Sequence, residues 1–351
     1  MKPSALGLSK RLQLKHLPMN KKYALFTYIL LFLLYSFLCL LIVTHSAQAK
    51  EHEIRYRLKW LFNTSVAGDI YANKAGYFAA QGLQVNIKEG SPEKNAINEL
   101  ELGRAEFGVA SADQVIRALD KGARLVVLAQ IFQVNPMQWI YRDDQPEIKT
   151  LNDLQGKTIG ITFGGNDETI MRTLLTKAGI KEKEVKLSGV RFDFMPFFRR
   201  QVEVWPVYRN SQGVILQDKL TKEGEAVRFF NPAEFGVNFV ANSIITSEEM
   251  LKEQPQVVEK FLTALLQGWE AAMNQENETK VLAAVKALDK NTDARIMQKQ
   301  LASTRGLVLA EAEAKKIGAI DMPAWQQTEA IMLQAGQIKR AVQVEKYLQV
   351  R

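Results

Sequence analysis

The stretch from Ile54 to Ile87 holds a strand, a helix and a second strand in that order, and it commits the chain to an α/β architecture. Ile54 to Trp60 reads as a strand that runs out into the polar turn Asn63-Thr64-Ser65. Ala67, Ile70, Tyr71, Ala75 and Phe78 then fall on one face of a 3.6-residue period, which predicts one helix ended by Gly82. Leu83 to Ile87 alternates apolar and polar residues, a half-buried strand. Such a unit joins parallel neighbours in a sheet. Ligands of open parallel sheets sit beyond the carboxyl ends of the strands. Trp60 and Asn63 therefore stand at a candidate ligand mouth. The alternative for Trp60 is a packing residue at the rim of the core.

The rest of the chain repeats the theme. Glu93 to Leu102 predicts a helix, Ala105 to Ala110 a strand, Ser111 to Leu119 a helix, and Arg124 to Phe132 a buried strand. A strand ending at Tyr141-Arg142 precedes the polar stretch Asp143 to Thr150, which reads as a lobe boundary. Leu151 to Thr162 restarts the pattern and leads into the loop Phe163-Gly-Gly-Asn-Asp-Glu168. A glycine-rich loop between strand and helix suggests a phosphate cradle. This one has neither the G-x-G-x-x-G nor the Gly-Lys-Ser spacing. Asp167 and Glu168 at the helix start would repel an anion, so an N–H-rich or cationic ligand fits better. Plain helix capping by Asn166 or Asp167 explains the loop as well. Further on, Pro206 limits a strand near Trp205, which leaves Trp205, Tyr208 and Asn210 at a strand end, as Trp60 and Asn63 are. Val237 to Thr246 returns the chain to the first strand series. A long helix follows, with Val258, Phe261, Leu262, Leu265 and Trp269 on one stripe that reads as core. Helical segments, among them Glu311 to Ile317, fill the remainder.

Residues 1–49 carry six Lys or Arg and no acid, with an apolar run from Ala24 to Val43 and then Ala47-Gln48-Ala49. This reads as a secretory signal peptide with an A-x-A cleavage site. The run is also long enough to span a bilayer, so the alternative is an uncleaved anchor. Beyond the leader, 40 basic residues meet 38 acidic ones, so most of the net charge of +8 belongs to the leader and the remaining +2 gives no argument for nucleic acid. Cys39 is the only cysteine and His52 the only histidine outside the leader, beside His16 and His45 within it. A chain so composed cannot build a Ser–His–Asp triad, a thiolate nucleophile or a Cys/His zinc site after processing. Carboxylate or lysine chemistry stays open.

Trp60-x-x-Asn63-x-x-x-x-Gly68, then Gly76-Tyr77-Phe78, then Gly82-Leu83-x-Val85 is a pattern that resembles the NMT1/THI5-like solute-binding proteins. Those are relatives of the ABC-importer receptors for thiamine precursors, riboflavin, sulfonates and nitrate. The resemblance runs from about Ile54 to about Met273. It implies a type II periplasmic-binding-protein fold, two α/β lobes with an interlobe cleft. Lobe 1 is expected over 51–142 and 243–351, and lobe 2 over 143–242. It implies an exported, periplasmic, monomeric receptor without cofactor or metal. Such a receptor takes a small aromatic heterocycle, similar to a thiamine pyrimidine precursor, and serves an ABC transporter permease. Trp60, Asn63, Trp205, Tyr208 and Asn210 are the expected ligand residues, with Asp167 and Glu168. The alternative is a ligand-sensing subunit that docks on a membrane signalling protein. An enzyme is the third reading. The related fungal pyrimidine synthases use a cysteine-rich motif and a histidine, and the processed chain has neither.

Overall fold

The structure, a computed structural model, describes residues 52–191, 193–309 and 316–350. The expected leader, with Cys39, His16 and His45, lies outside the described residues, as does most of the helix expected over Glu311 to Ile317.

The described residues form ten strands: β1 His52–Arg57, β2 Leu83–Lys88, β3 Phe107–Ala110, β4 Leu125–Gln130, β5 Met137–Arg142, β6 Thr158–Ile161, β7 Lys186–Gly189, β8 Trp205–Tyr208, β9 Val227–Phe230 and β10 Ser243–Ser247. The first sheet has the order β2-β1-β3-β10-β4. Its β1 runs parallel to β2 and β3, and β10 runs antiparallel to β3 and β4. The remaining strands form β8-β5-β9 and the parallel pair β6-β7. A parallel bridge from Ile159 to Val204, with Gly160 N–H donating to the Val204 carbonyl at 2.8 Å, joins these two pieces. The second system therefore reads β7-β6-β8-β5-β9. Each system has the same plan: three parallel-type strands, then one antiparallel strand inserted before the last.

The inserted strand changes the expected boundary. A break at 142/143 leaves β5 with the first series, but β5 pairs with β8 and β9. The chain thus crosses between systems before β5, after Gln130, and returns between β9 and β10. Nothing in Met137–Arg142 itself signals this, because its partners lie far along the chain.

Two other expectations shift locally. The helix read from Ala67 to Phe78 is two helices, Ala67–Lys74 and Tyr77–Ala80, parted at Gly76 with φ of 82°. Only glycine adopts that conformation at little cost. Strand β1 ends at Arg57, so Lys59 and Trp60 lie in the bend beyond it.

The apolar stripe of the helix Pro255–Met273 is fully buried, as its period predicts. It crosses the helix Ala67–Lys74 at two points of close approach. A Cβ on Gly68 would lie 2.0 Å from the Trp269 ring, and one on Gly268 would lie 2.4 Å from the Ala72 Cβ. Phe261 stacks on Phe107 at 3.8 Å and on Phe78 at 5.2 Å, which ties this crossing to the first sheet. The core under the β1 end is thereby rigid, and it fixes where Lys59 and Trp60 emerge.

Candidate functional site

Beyond the ends of β1 and β8 lies a cavity of about 350 Å³. Residues from both sheet systems line it. Lys59, Trp60, Phe62 and Asn63 come from the loop after β1. Asn166 and Asp167 come from the start of the helix Asn166–Ala178. Phe194 precedes a short helix, and Trp205 to Tyr208 are β8 itself. Its walls are mainly apolar and include the aromatic residues Trp60, Phe62, Phe194, Trp205 and Tyr208, with a compact polar cluster at Lys59. Cavities of a few hundred Å³ with few, placed polar groups are the usual form of small-molecule sites.

Lys59 is the centre of the cluster. Its ammonium donates to Asn166 Oδ1 at 3.0 Å and to the Tyr208 hydroxyl oxygen at 2.5 Å. It also lies 5.0 Å from the centre of the Tyr208 ring. The Tyr208 hydroxyl in turn donates to Asn242 Oδ1 at 3.3 Å. Burial lowers the Lys59 pKa to about 8, against the opposing pull of the Asp113 and Asp167 carboxylates. Burial likewise raises Asp167 to about 6, moderated by hydrogen bonds at Thr162 and by Lys59. The Tyr208 hydroxyl is raised by burial and by the same two carboxylates.

Two buried groups near Lys59 stand out. Asn166 is 5% exposed, and its Nδ2 makes no hydrogen bond within the protein. Lysine can only donate, so its bond to Oδ1 fixes which way the Asn166 amide faces. Asp113 is wholly buried in the first turn of the helix Ala112–Asp120, and neither of its carboxylate oxygens has a hydrogen-bond partner. The positive end of that helix and the Lys59 charge offset its cost.

The loop before Asn166 is closed on itself. Thr162 N–H donates to Asp167 Oδ2 at 2.5 Å, Gly164 N–H to Glu168 Oε2 at 2.8 Å, and Gly165 N–H to the Thr162 carbonyl at 2.7 Å. Asp167 and Glu168 thus fold the preceding loop back onto the helix start. Neither caps the helix, whose N-cap Gly165 has no side-chain bond, so the capping expected from Asn166 or Asp167 is not what the geometry holds. Asp167 still lines the cavity, whereas Glu168 turns outward to Arg172 at 2.9 Å and lies outside the lining.

The other expected residues divide. Trp60, Asn63, Trp205 and Tyr208 line the same cavity. Both ends of the Asn63 amide are taken locally: Oδ1 accepts from Ser65 N–H at 2.7 Å and Nδ2 donates to the Leu61 carbonyl at 3.0 Å. Asn63 therefore shapes the loop that carries Trp60. Trp205 is 1% exposed and packs edge-on against Phe194, with ring centres 6.0 Å apart. Asn210 does not reach the lining. It is wholly buried, and its Nδ2 donates to Ser65 Oγ at 3.0 Å and to Thr304 Oγ1 at 2.9 Å. It ties the segment after β8 to the loop after β1 and to the helix Ala294–Val308.

Sequence reasoning passed over Lys59, Asn166 and Asp113 as site residues. Lys59 is adjacent to Trp60 and reads as an ordinary solvated strand-end lysine. Only the fold brings it to Tyr208.

The sequence pattern of the NMT1/THI5-like family matches residues 63–279. A protein of Haemophilus influenzae named for thiamine biosynthesis is 27% identical, over 89% of this chain and 96% of that one. The formylaminopyrimidine-binding protein of Halalkalibacterium halodurans is 25% identical, over 64% of this chain and 68% of that one. Among solved structures, the alkanesulfonate-binding protein SsuA of Xanthomonas axonopodis pv. citri, bound to MOPS, superposes with a TM-score of 0.65 at 14% identity. That match covers 84% of this chain and 97% of SsuA. At that identity the likeness speaks for the fold alone, which is the α/β fold of periplasmic binding proteins.

Proposed function

The chain belongs to the NMT1/THI5-like family, and from that premise we propose that it is an exported solute-binding protein. It captures a small aromatic heterocycle, similar to a thiamine pyrimidine precursor, and delivers it to an ABC importer. Its two sheet systems act as lobes, and the cavity between the ends of β1 and β8 is the interlobe cleft.

The observation that carries this reading is the lining of the cavity. Trp60, Phe62 and Phe194 supply aromatic surface, with Trp205 buried behind Phe194, and the Lys59–Asn166–Tyr208 cluster supplies the polar end. Flat rings stack on aromatic faces, and each stacked base-like ring contributes about 1–3 kcal/mol. Polar groups at one end then set orientation, at roughly 1 kcal/mol per net hydrogen bond. Capture and release need no bond-making group. The Lys59, Gln114 and Arg117 side chains each reach from the first strand series to the 164–169 region, at Asn166, the Gly164 carbonyl and Thr169. Contacts of this kind suit a closed state reached by hinge motion about the two crossovers.

The test is mass spectrometry of the chain purified from its own host under native conditions, then denatured. The expected result is one small heterocyclic molecule per chain. Recovery of ligand-free protein that binds no small solute in subsequent titrations would overturn the receptor assignment.

A further inference from the structure

We infer that the site reads a neutral ring by its acceptor edge, with Asn166 Nδ2 and Lys59 as the donors, and that it rejects sulfonates and other anions. The inference rests on the receptor reading above and narrows the ligand class of that same cavity.

The donor inventory carries the first half. Asn166 is 5% exposed, lines the cavity, and has a free Nδ2 whose direction is set by the Lys59 bond to its Oδ1. A buried donor without a partner costs about 1–3 kcal/mol, so a ligand acceptor placed there recovers a penalty as well as making a bond. An ammonium carries three protons. Two of those on Lys59 go to Asn166 and Tyr208, which leaves one. Tyr208 is spent, since it accepts from Lys59 and donates to Asn242. The cluster thus offers donors to a ring nitrogen or carbonyl oxygen. The amide acceptors at this end, Asn166 Oδ1 and Asn242 Oδ1, already receive bonds from the protein.

The charge inventory carries the second half. Lys59 and Arg191 are the basic residues among the described residues that line the cavity. Arg191 is paired with Glu93 at 2.7 Å. Lys59 faces the electrostatic pull of two carboxylates, Asp113 and Asp167. One ammonium against two acids leaves no net positive charge for an anion to neutralise, and desolvating an anion there goes uncompensated. A helix start could still bind an anion through its backbone N–H groups. Here Asp167 and Glu168 stand in the first turn, where their charges repel an anion, and they also take the N–H groups of Thr162 and Gly164 in the loop before it. The glycine-rich loop is filled by the chain's own carboxylates.

The experiment is calorimetric titration of the full chain with two probes, a formylaminopyrimidine and the sulfonate MOPS. The first has ring nitrogens and a formyl oxygen as acceptors and no net charge. Wild type is expected to bind the pyrimidine and to give no saturable signal with MOPS. Asn166→Asp keeps an oxygen for Lys59 but replaces the free N–H donor, and is expected to weaken pyrimidine binding about tenfold or more at unchanged melting temperature. Equal or tighter binding of MOPS by wild type overturns the inference and leaves the receptor reading standing. So does an Asn166→Asp affinity for the pyrimidine within about twofold of wild type. A wild type that binds neither probe also overturns it, and the mass spectrum of the co-purified molecule then decides the receptor reading on its own.

Discussion

Lys59 and Tyr208 stand 149 residues apart in the chain, yet the Lys59 ammonium donates to the Tyr208 hydroxyl oxygen at 2.5 Å. One residue follows β1 of the first sheet system, and the other ends β8 of the second. The bond therefore joins the two systems at the mouth of the cavity.

The first prediction concerns this lysine and pH. Its folded pKa of about 8 lies below the ordinary 10.5. Between those values the unfolded chain binds more protons than the folded one, so stability rises with pH. The charged form is thus a net cost below pH 8 that is relieved as pH climbs above it. Apo stability measured by urea melts from pH 8 to about 9.5 should rise in wild type, and Lys59→Met should flatten that rise. The window stops short of pH 10 because Tyr56 and Tyr208, both raised by burial, act with the opposite sign there.

A second titration lies in the core of the first system. Burial raises Asp69 from 3.8 to about 7, while the Tyr56 hydroxyl donates to its Oδ1 at 2.5 Å. A folded pKa above the unfolded one means that stability is present below pH 4 and is lost as pH rises through 7. Asp69→Asn keeps an oxygen for Tyr56 and removes the buried charge. It should stabilise the apo protein at pH 8 by roughly 2–4 kcal/mol and have little effect at pH 4. Denaturant melts at the two pH values read this directly.

Gly68, the glycine of the W-x-x-N-x-x-x-x-G pattern, is predicted to be a packing residue. An added Cβ would lie 2.0 Å from the Trp269 ring. Gly68→Ala should cost about 1–3 kcal/mol, the usual price of overpacking. A melting temperature equal to wild type would show that the two helices can part without loss.

These cases mark how far the sequence speaks. The strand–helix–strand unit at 54–87 and the stripe from Val258 to Trp269 are legible, because local periodicity shows burial directly. Trp60 and Tyr208 are legible as aromatics at a strand end and line one cavity. Trp205 lines it too, but it opens β8, which runs on through Pro206 instead of stopping there. The partner of β5 is not legible, since a six-residue apolar strand has no mark of which sheet will take it. Asn210 reads as a strand-end amide like Asn63. Its role depends on Thr304, a residue 94 positions away. Lys59 and Asp113 escape notice for the same reason: their meaning lies in a juxtaposition that the fold creates.

Trp205 should behave as core. It is 1% exposed and packs on Phe194 and Phe197. Trp205→Ala should cost roughly 3–5 kcal/mol of folding stability. Circular dichroism melts of the variant should therefore shift strongly downward, whatever happens to ligand affinity.

The central claim is that the cavity at Trp60 is where the ligand stacks, and one variant tests it most directly. Trp60 is only partly buried and lines the cavity. Trp60→Ala should weaken binding of the molecule released from wild type by about 1–3 kcal/mol, or roughly five- to 150-fold by calorimetry, with apo melting little changed. A large fall in apo melting temperature with unchanged affinity would contradict the account and return Trp60 to the core.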